Sequence, residues 1–420
     1  MDQTQFYPPQ RNSYLIWLAQ KVMPWVARLI LQVDLVVPSE SLARLQKLQG
    51  SPYLILCNHP TFHDPMIMFL LSARLSLSFF YLAAYEQFQD QVQRWFYQRL
   101  GAYSIRRGLA DRPSIAYTVA LMQEPDCRLV IFPEGGCSFQ NDTIMPFRAG
   151  GVQMALQAMT KQAKQGKKVQ DFYVVPISLK YRYTGDMTGA IVQALTQLEQ
   201  ALHLPSQGDY YHRLRAIAAQ LLRRYEQEYG ITPLPTANWN QRIAALKFQA
   251  LQQCELRLGL TPAPHEPHRE RVYRIRHILS SRINTLLPDG TDGWEVIRKA
   301  SLRMLNFDAI YDGYVAAHPT PERFLDTLVR FEREVFDIDQ PQPKGHRQAI
   351  LQVDEPVNLK DYFAAYTQER SATVDLLLKQ FQETMQNNLN ELSERSPRFA
   401  QGSSNSPKLK KLPSQTDLKP

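Results

Sequence analysis

From Ser51 to Tyr183 short apolar runs alternate with amphipathic stretches. Tyr53–Leu56, Leu77–Tyr81, Tyr103–Ile105, Leu129–Phe132 and Tyr173–Leu179 read as strands, and Met66–Leu71, Phe88–Leu100, Ser114–Met122 and Gly150–Lys161 as helices between them. Such alternation predicts an α/β layer fold on a central sheet. From Gly185 the texture becomes helical. Asp209–Tyr229 places Leu214, Ile217, Leu221 and Tyr225 on one face and stops at Gly230. Asn238–Leu258, Glu270–Leu286, Trp294–Leu305 and the stretch opened by Thr320-Pro321-Glu322 follow the same pattern, forming an Arg-rich all-helical block. An apolar run returns at Ala349–Val353, and a last long helix is expected from about Leu359 to Leu392. Residues 393–420, poor in large apolar side chains, are expected to form a disordered basic tail. Near the start, Tyr14–Val37 mixes Leu15, Trp17, Leu18, Trp25, Ile30 and Leu31 with Lys21, Pro24, Arg28 and Asp34. That mixture suits a pair of helices lying in a membrane interface, the alternative being a helix packed on the core.

Composition narrows the class. With 44% hydrophobic and 21% charged residues among 420, the chain buries a sizeable core and is not disordered throughout. Cys57, Cys127, Cys137 and Cys254 have no C-x-x-C spacing, which excludes a thiolate zinc cluster and a disulfide scaffold and suits a reducing, cytoplasmic setting. Lys and Arg outnumber Asp and Glu by 48 to 40, an excess of +8 that suits a phosphorylated lipid, an anionic membrane face or an acidic carrier protein. Nucleic acid is not indicated. No apolar window reaches the ~18 residues a spanning helix needs, so peripheral membrane association is expected.

Four clusters carry candidate chemistry. Leu54–Asp64 reads L-I-L-C-N-H-P-T-F-H-D, a buried strand running into a polar turn. Across that turn Asp64 can accept the imidazole N–H of His59, fixing its tautomer and leaving the other ring nitrogen as a general base. Asp64, before Pro65, also reads as a helix N-cap. His59, His63 and Asp64 are metal-ligating types, but a compact turn seldom presents three ligands to one ion and no fourth is evident, so no metal is expected. Cys57 or Cys137 near His59 would instead make a thioesterase-like hydrolase. The second cluster, G-A-Y-S-I-R-R-G at Gly101–Gly108, delivers Arg106 and Arg107 as a phosphate-binding pair or as solvated surface cations. In the third, V-I-F-P-E-G-G-C-S at Val130–Ser138, Glu134 follows a strand and Gly135 and Gly136 let backbone N–H groups approach a ligand. The fourth is a strand interrupted by Pro176, which reads as an edge or bulge. Separately, His268–His277 spaces Arg271 and Arg274 one turn apart, with Val272 and Ile275 on another face: a carrier- or lipid-docking helix, or a solvated one.

In this order and at these separations the clusters resemble the lysophospholipid and glycerol-phosphate acyltransferase superfamily, with its N-H-x-x-x-x-D motif. The resemblance implies a mixed central sheet flanked by helices. It implies transfer of an acyl chain from coenzyme A or acyl carrier protein, as substrate rather than cofactor, to a lipid acceptor hydroxyl without a metal. By it His59 is the base and Asp64 its orienting partner. Arg107, with Arg106, binds acceptor phosphate, Glu134, Gly135 and Gly136 line the acceptor site, and Pro176 lies beside the acyl site. The implied organisation is N-terminal interfacial helices (1–50), a core (51–185), a helical insertion (186–345), a strand and helix completing the core (346–392), and the tail. The sequence departs from the family pattern in two places: Gly136 and Cys137 stand where Thr and Arg are usual, and Ala83, Ala84 and Tyr85 stand where a lysine is often found. A missing phosphate cation weakens the case for a phosphorylated acceptor more than that for acyl transfer. The alternatives are a neutral lipid alcohol as acceptor, a non-catalytic lipid-binding or scaffold protein, and the Cys-dependent thioesterase.

Overall fold

The computed structural model describes residues 6–262, 266–281, 293–308 and 310–395. Eight strands, β1 (Val33–Val36), β2 (Tyr53–Cys57), β3 (Phe80–Ala84), β4 (Ala102–Ile105), β5 (Arg128–Ile131), β6 (Tyr173–Tyr183), β7 (Arg347–Val353) and β8 (Val357–Asn358), form one sheet. Its order is β1-β7-β6-β2-β5-β3-β4, with β8 beside β6. Strands β6, β2, β5, β3 and β4 run parallel, whereas β7 and β8 oppose β6. The sheet is therefore mixed, as expected.

The central strands are continuously apolar because both faces are covered. Tyr53, Ile55 and Cys57 pack with the helices Ser13–Leu29 and Asp64–Leu75, while the alternate residues Leu54 and Leu56 pack with Gly150–Lys164 and Arg370–Glu394. Between Tyr183 and Arg347 the described elements are all helical and share their own core, which includes Ile191, Leu214, Leu251 and Phe324. Their starts obey local rules. Asp209 and Thr320 accept helix N–H groups, and Asn238 forms a reciprocal capping box with Gln241. Tyr183 pairs with Arg347 across β6 and β7, so the helical block enters and leaves at neighbouring points of one antiparallel pair. Its first helix, Thr188–Ala201, has no counterpart in the sequence reading.

Several expectations are corrected. The Tyr14–Val37 stretch holds one helix, Ser13–Leu29, with Pro24 inside it, and the next helix in the chain is Ser39–Lys47. Gln32, at φ 50°, then turns the chain into edge strand β1, where Asp34 meets His346 at 2.8 Å. Residues 33–36 are thus drawn into the sheet by parallel pairing with β7 rather than left as a second interfacial helix. Pro176 is not on an edge: it pairs in register with Leu56 inside β6, and on its other side the chain between β7 and β8 bulges, setting residues 354–356 against Val175 and Pro176. Its carbonyl accepts from Asp354 N–H, so the side from which its own N–H is missing faces the turn between β7 and β8, where no ladder partner is required. The last long helix is broken at Glu369 (φ −132°, ψ 82°) into Phe363–Gln368 and Arg370–Glu394. Ser393 and Glu394 end that helix, and the rest of the expected tail from residue 396, like the end of the expected helix past Ser281, lies outside the described residues.

Candidate active site

Parallel strands β2, β4 and β5 end on one edge of the sheet, and their connections, residues 58–64, 106–108 and 132–138, meet there. This is where an open α/β sheet leaves a crevice for ligands. Asn58 anchors the first loop: Leu179 N–H donates to its Oδ1 at 2.7 Å, and its Nδ2 donates to Leu179 carbonyl at 2.9 Å, continuing the β2–β6 ladder with a side chain. Asn141 repeats the device on Tyr181.

His59 Nδ1 lies 2.6 Å from Asp64 Oδ2. A carboxylate only accepts, so in a neutral His59 making this contact Nδ1 is the donor and Nε2 is left with the lone pair. Asp64 is fully buried and saturated. Oδ2 also takes the Thr61 N–H at 2.8 Å, and Oδ1 takes the Thr61 hydroxyl at 2.8 Å and the Tyr181 hydroxyl at 2.7 Å. His63 occupies the N-cap position of the following helix without a side-chain capping bond, and the Asp64 carboxylate bonds His59, Thr61 and Tyr181 rather than the helix N–H groups. The His59 ring lies on Phe132, centroids 4.4 Å apart. Its backbone is gripped by the third loop: His59 N–H donates to Glu134 Oε1 at 3.2 Å, and Ser138 N–H donates to the His59 carbonyl at 2.8 Å. Burial pushes the Glu134 carboxyl up to about 8, against the pull of Arg269, the His59 N–H and Ser138.

Arg106 and Arg107 turn to different neighbours. Successive residues leaving an extended strand point apart, and the Arg106 guanidinium stacks on Tyr85 at 4.7 Å. Arg107 turns to the third loop, donating to the Gly135 carbonyl at 3.2 Å and to Glu86 Oε1 at 3.2 Å. Gly135, at φ 71°, is left-handed, and a β-carbon there would strike Arg148. One on Gly136 would strike the hydroxyl of Tyr273, from helix His268–Ser281 of the helical block. That helix is not a free basic face. Arg271 is held by Glu255 and Arg274 by Glu266, while Val272 and Ile275 are buried. The block is also tied in through Arg330, which donates to the Ser138 carbonyl at 2.9 Å, and Arg323, which binds Asp142 at 2.6 Å. Burial pushes the Cys137 thiol well up, and the Cys57 thiol likewise, so neither supplies a thiolate. Cys137 faces the charges of Arg269, Arg330 and Arg333. Pro176, level with Leu56 on β6, stands one strand away from the His59 turn.

Sequence reasoning missed Tyr181, Thr61, Arg148 and the helical-block residues Arg269, Tyr273 and Arg276. Only the last three carried a signal, their spacing along one helix face.

Residues 38–180 match the family model described as Acyltransferase. Over 87 residues, 21% of this chain, the sequence is 28% identical to a 1-acyl-sn-glycerol-3-phosphate acyltransferase of Streptococcus pneumoniae, and the match spans 32% of that relative's length. A similarity to the crystal structure of the 1-acyl-sn-glycerophosphate acyltransferase PlsC from Thermotoga maritima has a TM-score of 0.28 and 17% identity, covering 40% of this chain and 57% of that one. Strand β2, the His59–Asp64 turn, the Arg107 loop, the Glu134 loop and most of β6 all fall inside the segment that matches the Acyltransferase model.

Proposed function

We propose that the protein transfers a fatty acyl group from a thioester donor, acyl carrier protein or coenzyme A, to the hydroxyl of a lysophospholipid or glycerol-phosphate-type acceptor. The observation that carries the reading is the His59 Nδ1 to Asp64 Oδ2 bond of 2.6 Å, made to a carboxylate whose remaining capacity is taken by Thr61 and Tyr181. Held in this tautomer, Nε2 takes the acceptor's hydroxyl proton as its oxygen attacks the thioester carbonyl carbon. The carbon–sulfur bond then breaks, and the departing thiolate recovers the proton from His59. Every proton is accounted for by one imidazole, so the step as proposed draws on no metal or further cofactor. The match to acyltransferases supports the reaction class, and Arg107 beside Gly135 supports a phosphorylated acceptor.

The proposed setting is a membrane surface. No described helix is long and apolar enough to cross a membrane. Helix Ser13–Leu29 nevertheless leaves Trp17, Val22, Trp25 and Leu29 exposed, and helix Gln91–Arg99 leaves Val92, Trp95 and Phe96 exposed. The two are joined where Asn12 N–H bonds the Arg99 carbonyl at 3.0 Å, so their apolar faces can enter one interface with Trp at headgroup depth.

The test incubates purified protein with labelled acyl-coenzyme A or acyl carrier protein and a panel of phosphorylated and neutral acceptors, identifying products by mass spectrometry. A new ester that disappears in His59→Ala is expected. Free fatty acid as the sole product would make the protein a hydrolase, and no turnover of any donor would favour a binding role.

A further inference from the structure

Along helix His268–Ser281, Arg269, Tyr273 and Arg276 recur at i, i+4 and i+7 and therefore share a face. That face meets the Gly135–Gly136 turn. The buried Tyr273 ring has the Arg107 guanidinium 4.3 Å and the Arg148 guanidinium 4.8 Å from its centroid. Arg276 stands in the same field as Arg107, Glu86 and Tyr273, and Arg269 in that of Glu134, Cys137 and Arg148. Burial and the neighbouring guanidinium charges hold Arg148 and Arg276 below the usual arginine range.

The facing anions do not use up these cations, and Asp339, which also faces Arg276, is held by Arg333 at 3.0 Å. Glu86 meets Arg107 at 3.2 Å and Glu270 meets Arg148 at 2.8 Å. Asp308, 3.6 Å from Arg269, is shared with Lys247 at 3.1 Å. Glu134 is largely protonated at neutral pH. Arg107 Nε, Arg269 Nε and Nη1 and Arg276 Nε are buried without a hydrogen-bond acceptor. Buried guanidinium groups that repel one another with donors unspent are costly unless an anion takes them. Their planar forks fit a phosphate, whose oxygens can accept from several at once.

We propose that Arg107 and Arg148 of the sheet domain and Arg269 and Arg276 of the helical block together form the binding site for the phosphomonoester headgroup of the acceptor, making the helical block part of the active site. The identity of the headgroup rests on the acyltransferase reading; the anion site does not. The departures at Gly136 and Cys137 then have a physical cause. A side chain at residue 136 would collide with Tyr273, and a cation at residue 137 would stand among Arg269, Arg330 and Arg333.

Calorimetric titration of the full chain with glycerol 3-phosphate tests this, with inorganic phosphate and coenzyme A as separate arms. Saturable binding is expected, weakened roughly tenfold or more in Arg269→Gln and in Arg276→Gln, since one charge-assisted contact is worth about 1.5–3 kcal/mol. Arg269→Lys should retain part of the binding, and Arg257→Gln, on an exposed face of the block, should bind as the wild type does. Circular dichroism identifies any variant that has lost its fold. Absence of saturable binding, equal losses in Arg257→Gln, wild-type affinity in folded Arg269→Gln and Arg276→Gln, or binding of coenzyme A alone would each overturn the proposal. Arginine-dependent binding without acyl transfer would sink the acyltransferase reading and keep the anion site. Acylation of a neutral alcohol without phosphomonoester binding would do the reverse.

Discussion

The Tyr181 hydroxyl donates to Asp64 Oδ1 at 2.7 Å across a separation of 117 residues. Strand β6 thereby reaches the turn that ends β2 and fixes the carboxylate that fixes His59. Tyr181→Phe removes one donor from a buried carboxylate and keeps the ring. A neutral donor to a charged group is worth about 1.5–3 kcal/mol, so the acyl-transfer rate should fall by roughly tenfold or more with little change in KM. Steady-state kinetics on a variant with wild-type circular dichroism checks it, and an unchanged kcat would mean that Thr61 alone holds Asp64.

Replacing His59 by Ala should lower acyl transfer by ~100 to 10,000-fold, the usual worth of general-base assistance. The fold should persist, because the His59 ring lies over Phe132 at the end of a strand and not within a core cluster. Asp64→Asn should be similarly deficient. Product formation measured beside thermal melting separates loss of chemistry from loss of structure.

Glu134 should leave a signature in stability against pH. Its folded value of about 8 lies above the ordinary 4.5, so between those limits the folded chain keeps a proton that the unfolded chain has lost. That contribution to stability is fully present below about 4.5 and is lost as pH rises through about 8. Glu134→Gln cannot ionise, so its melting temperature relative to wild type should climb across this window and level off above it. A constant difference from pH 5 to 9 would show that Glu134 ionises normally.

Gly136 and Tyr273 should be energetically coupled. Gly136→Ala places a methyl group against the Tyr273 hydroxyl and should destabilise by about 1–3 kcal/mol, as overpacking does. Tyr273→Ala should relieve part of that loss. Urea denaturation of both single variants and the double variant measures the coupling, and simple additivity would place the hydroxyl elsewhere.

Trp17→Glu combined with Trp25→Glu should shift the protein from sedimenting anionic liposomes to the supernatant, weakening partition by roughly tenfold or more if each ring loses about 1.5 kcal/mol of apolar burial. The same pair should leave melting unchanged, since Trp17 is 52% and Trp25 67% exposed. Unchanged sedimentation would remove this face from the membrane reading.

Local chemistry determined much of this molecule. Both faces of β2 are buried, so Tyr53–Cys57 had to read as one apolar run, and Asp209, Asn238 and Thr320 had to stand at helix starts because helix N–H groups need acceptors there. The proximity of His59 to Asp64 was equally legible, being a matter of one short turn. What the sequence could not determine was anything depending on which distant segments meet. Pro176 looked like an edge residue until the turn after β7 came to face it, and Val33–Val36 looked like helix until β7 offered a ladder. Arg106 and Arg107 looked like a pair until the end of β4 sent them to different partners. The absent cation at Cys137 looked like a loss until helix His268–Ser281 folded back onto the Gly135–Gly136 turn and brought Arg269 and Arg276 with it. Short-range patterning is set by bonds within a few residues and is written in order along the chain. The composition of a site is set by the burial of surfaces that are far apart in sequence, and only the tertiary fold decides which of them share it.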